Sequence, residues 1–260
     1  MTVEQHLTLE INDGLAIFTI CRPAKLNALD DALIDALAAG IRTVERDPSV
    51  RVAILTASGG KAFSAGGDIA AWSGLEPARF SGHWLRNGHQ VFDALARLRQ
   101  PLIAVINGHA LGGGLELAAC ADIRIAEAHV RIGLPEAGLG VIPGWSGTQR
   151  TVRRFGSQIV RRLALFGEML EPAEALRHGI VDYVTPAEEG MARALSLAGH
   201  VMGRAPIATE LCKMLINAAE GEERERPIEA IAGLAAAQTA DLREGVAAYR
   251  EKRKPVFSGC

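Results

Sequence analysis

Paired cysteines are missing from this chain of 260 residues: the four it has, Cys21, Cys120, Cys212 and Cys260, stand far apart, form no CxxC and have no histidine at metal-ligand spacing. That excludes a disulfide-stapled scaffold and a cysteine-histidine metal centre, and it predicts reduced thiols in a cytoplasmic protein. Long apolar runs are missing too. None approaches the roughly 18 residues of a membrane span, and the opening MTVEQHLTLEINDG is polar and alternating with no apolar signal core, so neither secretion nor membrane insertion is expected. Charge of one sign is equally scarce. The formal net charge is -2, because an arginine-rich stretch (Arg150, Arg153, Arg154, Arg161, Arg162) and a basic end (Arg250, Lys252, Arg253, Lys254) are offset by acids elsewhere. Nucleic acid is therefore not an expected partner. Internal repeats and low-complexity segments are absent as well.

What is present is a globular composition, 48% hydrophobic, long enough for one large domain or one domain with an appendage. Two β-rich runs, residues 7–11 and 15–20, flank Asn12-Asp13-Gly14 and read as a hairpin. Residues 27–45 switch to helical period, with Leu29, Leu33, Ile34, Leu37, Ile41 and Val44 on one face, Asn27 as the expected N-cap, and Asp30 and Asp31 favouring the first turn. Residues 52–56 and 102–106 read as short buried strands, each followed by a glycine-rich segment. This order predicts an α/β architecture with sites at strand ends. Beyond about Thr185 only helices are expected, over 186–202, 206–219, 227–240 and 241–250, three of them opening on proline. Residues 1–200 are read as the core that carries the site. Residues 201–260 are read as a helical region whose Ala- and Leu-rich face (Ile228, Ile231, Leu234, Ala235) needs a partner surface.

Chemistry concentrates in three glycine-rich segments. In NGHALGGGLELAACADIRIA (107–126), Gly112, Gly113 and Gly114 join a strand to an apolar helix that carries Glu116 in its first turn. Exposed backbone N–H groups at such a junction suit developing negative charge. A carboxylate there either moves protons or caps the dipole, and the glycines either bind an anion or merely pack. KAFSAGGDIA (61–70) is a second junction of this kind, with tight turns needing positive φ as the alternative. IGLPEAGLGVIPGWSGTQR (132–150) adds Glu136 in apolar surroundings, where a solvated loop residue is the competing reading.

Together the three segments, with CRPAKLNAL (21–29) and EGVAAYREKRKPVF (244–257), resemble the crotonase superfamily, the enoyl-CoA hydratases and isomerases, in order and approximate spacing over nearly the whole chain. The resemblance implies a spiral of β-β-α units with a C-terminal helical region that builds a trimer, paired into a hexamer. It implies that Gly67 and Gly113 donate the N–H groups of an oxyanion hole, and that Glu116 and Glu136 are both catalytic. The implied reaction is syn addition of water to a trans-2-enoyl-CoA, giving a 3-hydroxyacyl-CoA. Glu116 would be the base acting on water and Glu136 the acid delivering a proton to Cα, with Gly144 helping to place the water. Acyl-CoA is then substrate, and neither a metal nor a further cofactor is implied. The family's coenzyme A contacts map to Ala24, Lys25 and Leu26, to Ala65, Gly66, Asp68 and Ile69, and to Tyr249 and Lys252. An ordinary solvated charge run is the other reading of the basic end.

Two departures stand out. Gly67 replaces a frequent alanine, and Trp145 follows Gly144 where a small residue is common. That indole either fills part of the acyl pocket or packs in the core, and Trp84 is a second acyl-pocket candidate in the variable segment 70–100. Among rivals, a serine hydrolase on Ser64 with His83 or His109 as base lacks the glycine of a nucleophile elbow, since Ala62 stands there. Neither the phosphate-loop nor the dinucleotide pattern is met. Within the family an isomerase, which runs on one acid, is the nearest alternative. A non-catalytic RNA-binding relative would need a lysine-rich helix, where this chain offers Arg42 and Arg46.

Overall fold

The computed structural model describes residues 6–223 and 226–260. Strands β1 (Leu7–Asn12) and β2 (Leu15–Ile20) form the hairpin, in full register from Leu7 against Ile20 to Asn12 against Leu15. The chain then repeats one unit. A long strand enters a large sheet, a very short strand enters a small one, and a helical segment follows. The pairs are β3 (Val52–Ala57) with β4 (Ala62–Ser64), β5 (Leu102–Ile106) with β6 (His109–Leu111), and β7 (Ile123–Glu127) with β8 (Ile132–Gly133). With β9 (Met169–Leu170) and β10 (Tyr183–Thr185), the strands order as β1-β2-β3-β5-β7-β10 in a six-stranded sheet and β4-β6-β8-β9 in a four-stranded one. Pairing from β2 to β10 is parallel in the large sheet, and β4, β6 and β8 are parallel to one another.

Every residue of β3 and β5 is buried, as a parallel strand covered on both faces requires. Alternation then splits the core. Ala53 and Leu55 face a cluster with Phe18, Leu37 and Phe92, whereas Val52 and Ile54 face Ile103, Val105, Ile125 and the helix residues Ala194 and Ala198. Each fully buried aliphatic side chain contributes about 1.5–3 kcal/mol relative to exposure.

The first helix corrects the sequence expectation. It spans Asp31–Arg46 and is capped by Asp30, whose side chain accepts from the Leu33 N–H at 2.9 Å. Asn27 instead sits four residues earlier at φ 52 and is almost wholly buried. Its side chain accepts from the Arg22 N–H and donates to the Ser58 and Ala62 carbonyls, so it joins three loops. Leu29 lies outside the helix and forms an isolated bridge with Gly67.

The next helix after β10 is Gly190–Met202 rather than 186–202, because Glu188 has φ 67 and breaks the turn. Helices Pro206–Glu220, Arg226–Ala237 and Ala240–Glu251 follow. The chain divides into a compact unit ending at Lys213 and one from Met214 to Cys260. In the latter, Thr239 caps the last helix, and the tail returns to that helix through Ser258 and Gly259 N–H groups donating to Asp241. Ile231, Leu242, Val246 and Tyr249 are exposed there. The side chains of Ile228 and Leu234, from the expected apolar face, lie outside the described residues. Among the described residues no helix is long and apolar enough to cross a membrane.

Candidate active site

The three site loops leave the same end of three adjacent parallel strands. Sequence reading attached the glycine segments directly to the long strands β3 and β5; each in fact follows a second, two- or three-residue strand in the small sheet. Ser64 at the end of β4 opens onto Ala65-Gly66-Gly67, Leu111 at the end of β6 onto the triple glycine, and Gly133 at the end of β8 onto Leu134-Pro135-Glu136. Register (Ser64 against Ala110, Leu111 against Gly133) brings segments distant in sequence to one edge.

Absence of side chains lets these loops close on each other. A Cβ on Gly114 would lie 2.2 Å from the Ser64 carbonyl oxygen, and one on Gly66 would lie 2.9 Å from that of Leu111. Gly112 has φ 54, and a Cβ there would meet Glu136 Oε1 at 2.8 Å. Among the described residues neither the Gly67 nor the Gly113 N–H has an acceptor, and both glycines line one pocket. Helix Gly113–Ala118, buried throughout, carries Glu116 into that pocket, and a 3-10 turn, Glu136–Leu139, carries Glu136.

The two carboxyls differ in their surroundings. Glu116 Oε1 accepts from the Trp145 N–H at 2.7 Å, and the Gly147 N–H and the Arg150 guanidinium also favour its anion. Burial and then the neighbouring Glu136 carboxyl outweigh them and push Glu116 up to about 8. Neither oxygen of Glu136 has a hydrogen-bond partner among the described residues. Burial pushes it up to about 7, opposed only by its own backbone N–H. Gly144 also lines the pocket, where a Cβ would lie 2.5 Å from Leu85 Cδ2.

Trp145 is packed in the core and also reaches the pocket. It is 3% exposed, packs against Trp84 and Phe92 at ring-centroid distances of 5.2 and 5.1 Å, and still lines the pocket beside Trp84. Sequence reading missed Phe80, Leu85, Leu139 and Ile142 on that wall, since isolated apolar residues carry no local signal.

Ala65, Gly66 and Ile69 line the pocket, and Asp68 turns away from it. Asp68 accepts from the Ala70 N–H to start helix Ile69–Trp72 and pairs with Arg22, which also pairs with Asp30. Ala24, Lys25 and Leu26 form an exposed turn, tied to the AGGD loop by the Ala65 N–H donating to Leu26 O at 3.0 Å. Tyr249 and Lys252 are exposed in the Met214–Cys260 unit. Ser64 Oγ accepts from Gly66 N–H and has no histidine partner among the described residues. His83 is largely exposed, and His109 Nδ1 accepts from the Arg131 N–H at 2.9 Å. Among the described residues no cluster of three or more His, Cys, Asp or Glu side chains fit to hold a metal ion occurs.

A spiral of β-β-α units with two acids and unengaged backbone donors at the strand ends is the crotonase class of α/β fold. Residues 10–259 match the model of the enoyl-CoA hydratase/isomerase family, and the chain belongs to that family. It is 37% identical over 257 residues to a crotonyl-CoA hydratase of Syntrophomonas wolfei, covering 97% of this chain and 98% of that one. It is 36% identical over 251 residues to a short-chain-enoyl-CoA hydratase of Clostridium acetobutylicum, covering 96% of each. The crystal structure of an enoyl-CoA hydratase from Bacillus anthracis superposes with a TM-score of 0.81 at 31% identity, covering 98% of this chain and 100% of that one.

Proposed function

We propose that the protein is an enoyl-CoA hydratase adding water, syn, across the double bond of a trans-2-enoyl-CoA. The carrying observation is two buried carboxyls in one pocket with two unengaged backbone N–H groups. As water attacks Cβ, negative charge develops on the thioester oxygen, and the Gly67 and Gly113 N–H groups receive it. One fixed donor of this kind typically contributes about 3 kcal/mol. Water must lose a proton and Cα must gain one, so the pair must hold one proton between them.

Taken one at a time, the values near 8 and 7 would leave that proton on Glu116. The hydrogen bonds argue the reverse and carry more weight: N–H donors and Arg150 face Glu116, and among the described residues no donor from another residue reaches Glu136. Glu116 is therefore the base that takes the proton of water, with Gly144 helping to place that water. Glu136 is the acid that protonates Cα. Carboxyls and backbone donors suffice for the reaction, with no cofactor beyond the coenzyme A of the substrate.

Ala24, Lys25 and Leu26, the AGGD loop, Tyr249 and Lys252 are the proposed coenzyme A contacts. Trp84 and Trp145 are the proposed acyl wall. The Met214–Cys260 unit, with its exposed Ile231, Leu242 and Val246, is the proposed trimer- or hexamer-forming region, which light scattering of the purified protein checks. Activity is checked on crotonyl-CoA and on a panel of short, long and aromatic enoyl-CoAs. The reading expects loss of the conjugated thioester's absorbance and a 3-hydroxyacyl product. Double-bond migration without water uptake would instead make the protein an isomerase, and an inert protein across the panel would overturn both.

A further inference from the structure

We infer that Ser146, anchored by Asp93 and His89, is a positioning residue that aims the Trp145 and Gly147 N–H groups at Glu116. The role rests on Glu116 being one of the two working carboxyls proposed above. Ser146 has φ 67, a left-handed conformation that residues other than Gly, Asn and Asp rarely adopt. A left-handed residue lets flanking N–H groups converge on one anion, as in backbone nests. The carboxylate fills the space inside this turn: a Cβ on Gly147 would lie 2.2 Å from Glu116 Oε1.

Something must hold a serine there, and the side chains around it supply the hold. Ser146 Oγ, nearly buried, donates to Asp93 Oδ1 at 3.2 Å and lies 3.2 Å from His89 Nε2. Asp93 accepts from Arg150 Nη2 at 2.7 Å, faces Arg97 at 3.5 Å and His89 at 3.4 Å, and so is held on all sides by cations or a histidine. Arg150, 1% exposed, stands on the helix that Ser146 precedes and acts on Glu116 electrostatically. The charged groups facing Glu116 are thus Arg150 and Glu136, and the turn between them is pinned from below by Asp93. The helix Arg86–Ala96 reaches the site through this network, Asp93 standing 57 residues before Arg150, and through Phe92 packed on Trp145.

Ser146→Gly separates positioning from folding, because glycine accepts the left-handed conformation while the anchor is lost. Thermal stability is expected to hold or rise. The Glu116 carboxyl, followed by NMR of isotope-labelled protein and assigned with Glu116→Gln, is expected to titrate at higher pH than in the parent, since its anion loses aligned donors. The turnover number on crotonyl-CoA is expected to fall about ten- to a hundredfold with little change in KM. A Glu116 titration in Ser146→Gly that coincides with the parent's overturns the proposal. If the parent hydrates no enoyl-CoA, the hydratase reading fails while the titration still decides the positioning role.

Discussion

Glu116 and Glu136 are the same residue in the same pocket, and the chain treats them oppositely. Glu116 rides on a buried helix, receives backbone N–H groups from the 145–147 turn and lies within the field of Arg150. Glu136 opens a 3-10 turn after proline, with no partner on either oxygen among the described residues. Burial raises both, Glu116 the more deeply buried of the two, and among the described residues only Glu116 has donors beyond its own backbone to set against it. Two identical acids can therefore take different parts in one reaction without any difference in sequence chemistry.

The comparison breaks first at the level of rate. Glu116→Gln and Glu136→Gln are each expected to lower the turnover number for crotonyl-CoA by about 10²–10⁴-fold; a loss in only one of them would mean the chemistry runs on a single acid. Stability moves the other way. Burial lifts Glu136 from the ordinary 4.5 of an exposed glutamate to about 7 in the folded state, so between those values the folded state holds the proton longer and stability falls as pH rises. Glu136→Gln removes that fall, which amounts to about 3 kcal/mol above pH 7. Thermal melts across pH should show the variant overtaking the parent on the alkaline side and matching it in acid.

Backbone substitutions sharpen the contrast with smaller effects. Gly112→Ala combines a positive φ with a Cβ 2.8 Å from Glu136 Oε1, and a loss of about 1–3 kcal/mol in denaturant melts is expected. The smallest change belongs to Ser64→Ala. Among the described residues its hydroxyl accepts the Gly66 N–H alone, so hydration should fall by no more than about tenfold, the worth of one hydrogen bond; abolished activity would revive the nucleophile reading.

Much of this site is legible in the sequence, because acids and glycines in apolar surroundings mark the segments and the order of those segments carries the resemblance that assigns their roles. Glu116 and the glycine junctions stand out by type and neighbourhood, whereas Glu136, Gly67 and Gly113 are singled out by the resemblance to the crotonase superfamily; the structure gathers all four around one pocket. The strands that gather them were not legible. Strands β4, β6 and β8 have three, three and two residues, too short for any period, and they exist only because parallel neighbours pair with them. Asn27 misled for a related reason: it looks like a helix cap, yet its amide is used up joining the Arg22, Ser58 and Ala62 backbones. Asp93 and Ser146 carried no signal, because their partnership spans 53 residues of chain.

The pH dependence of kcat/KM for crotonyl-CoA hydration tests the unequal acid pair most directly. If one proton must be shared between Glu116 and Glu136, the profile is a bell centred between about 7 and about 8, with an acid limb where both are protonated and an alkaline limb where both are ionised. A profile that stays level through neutrality, or climbs steadily with pH, would contradict the account.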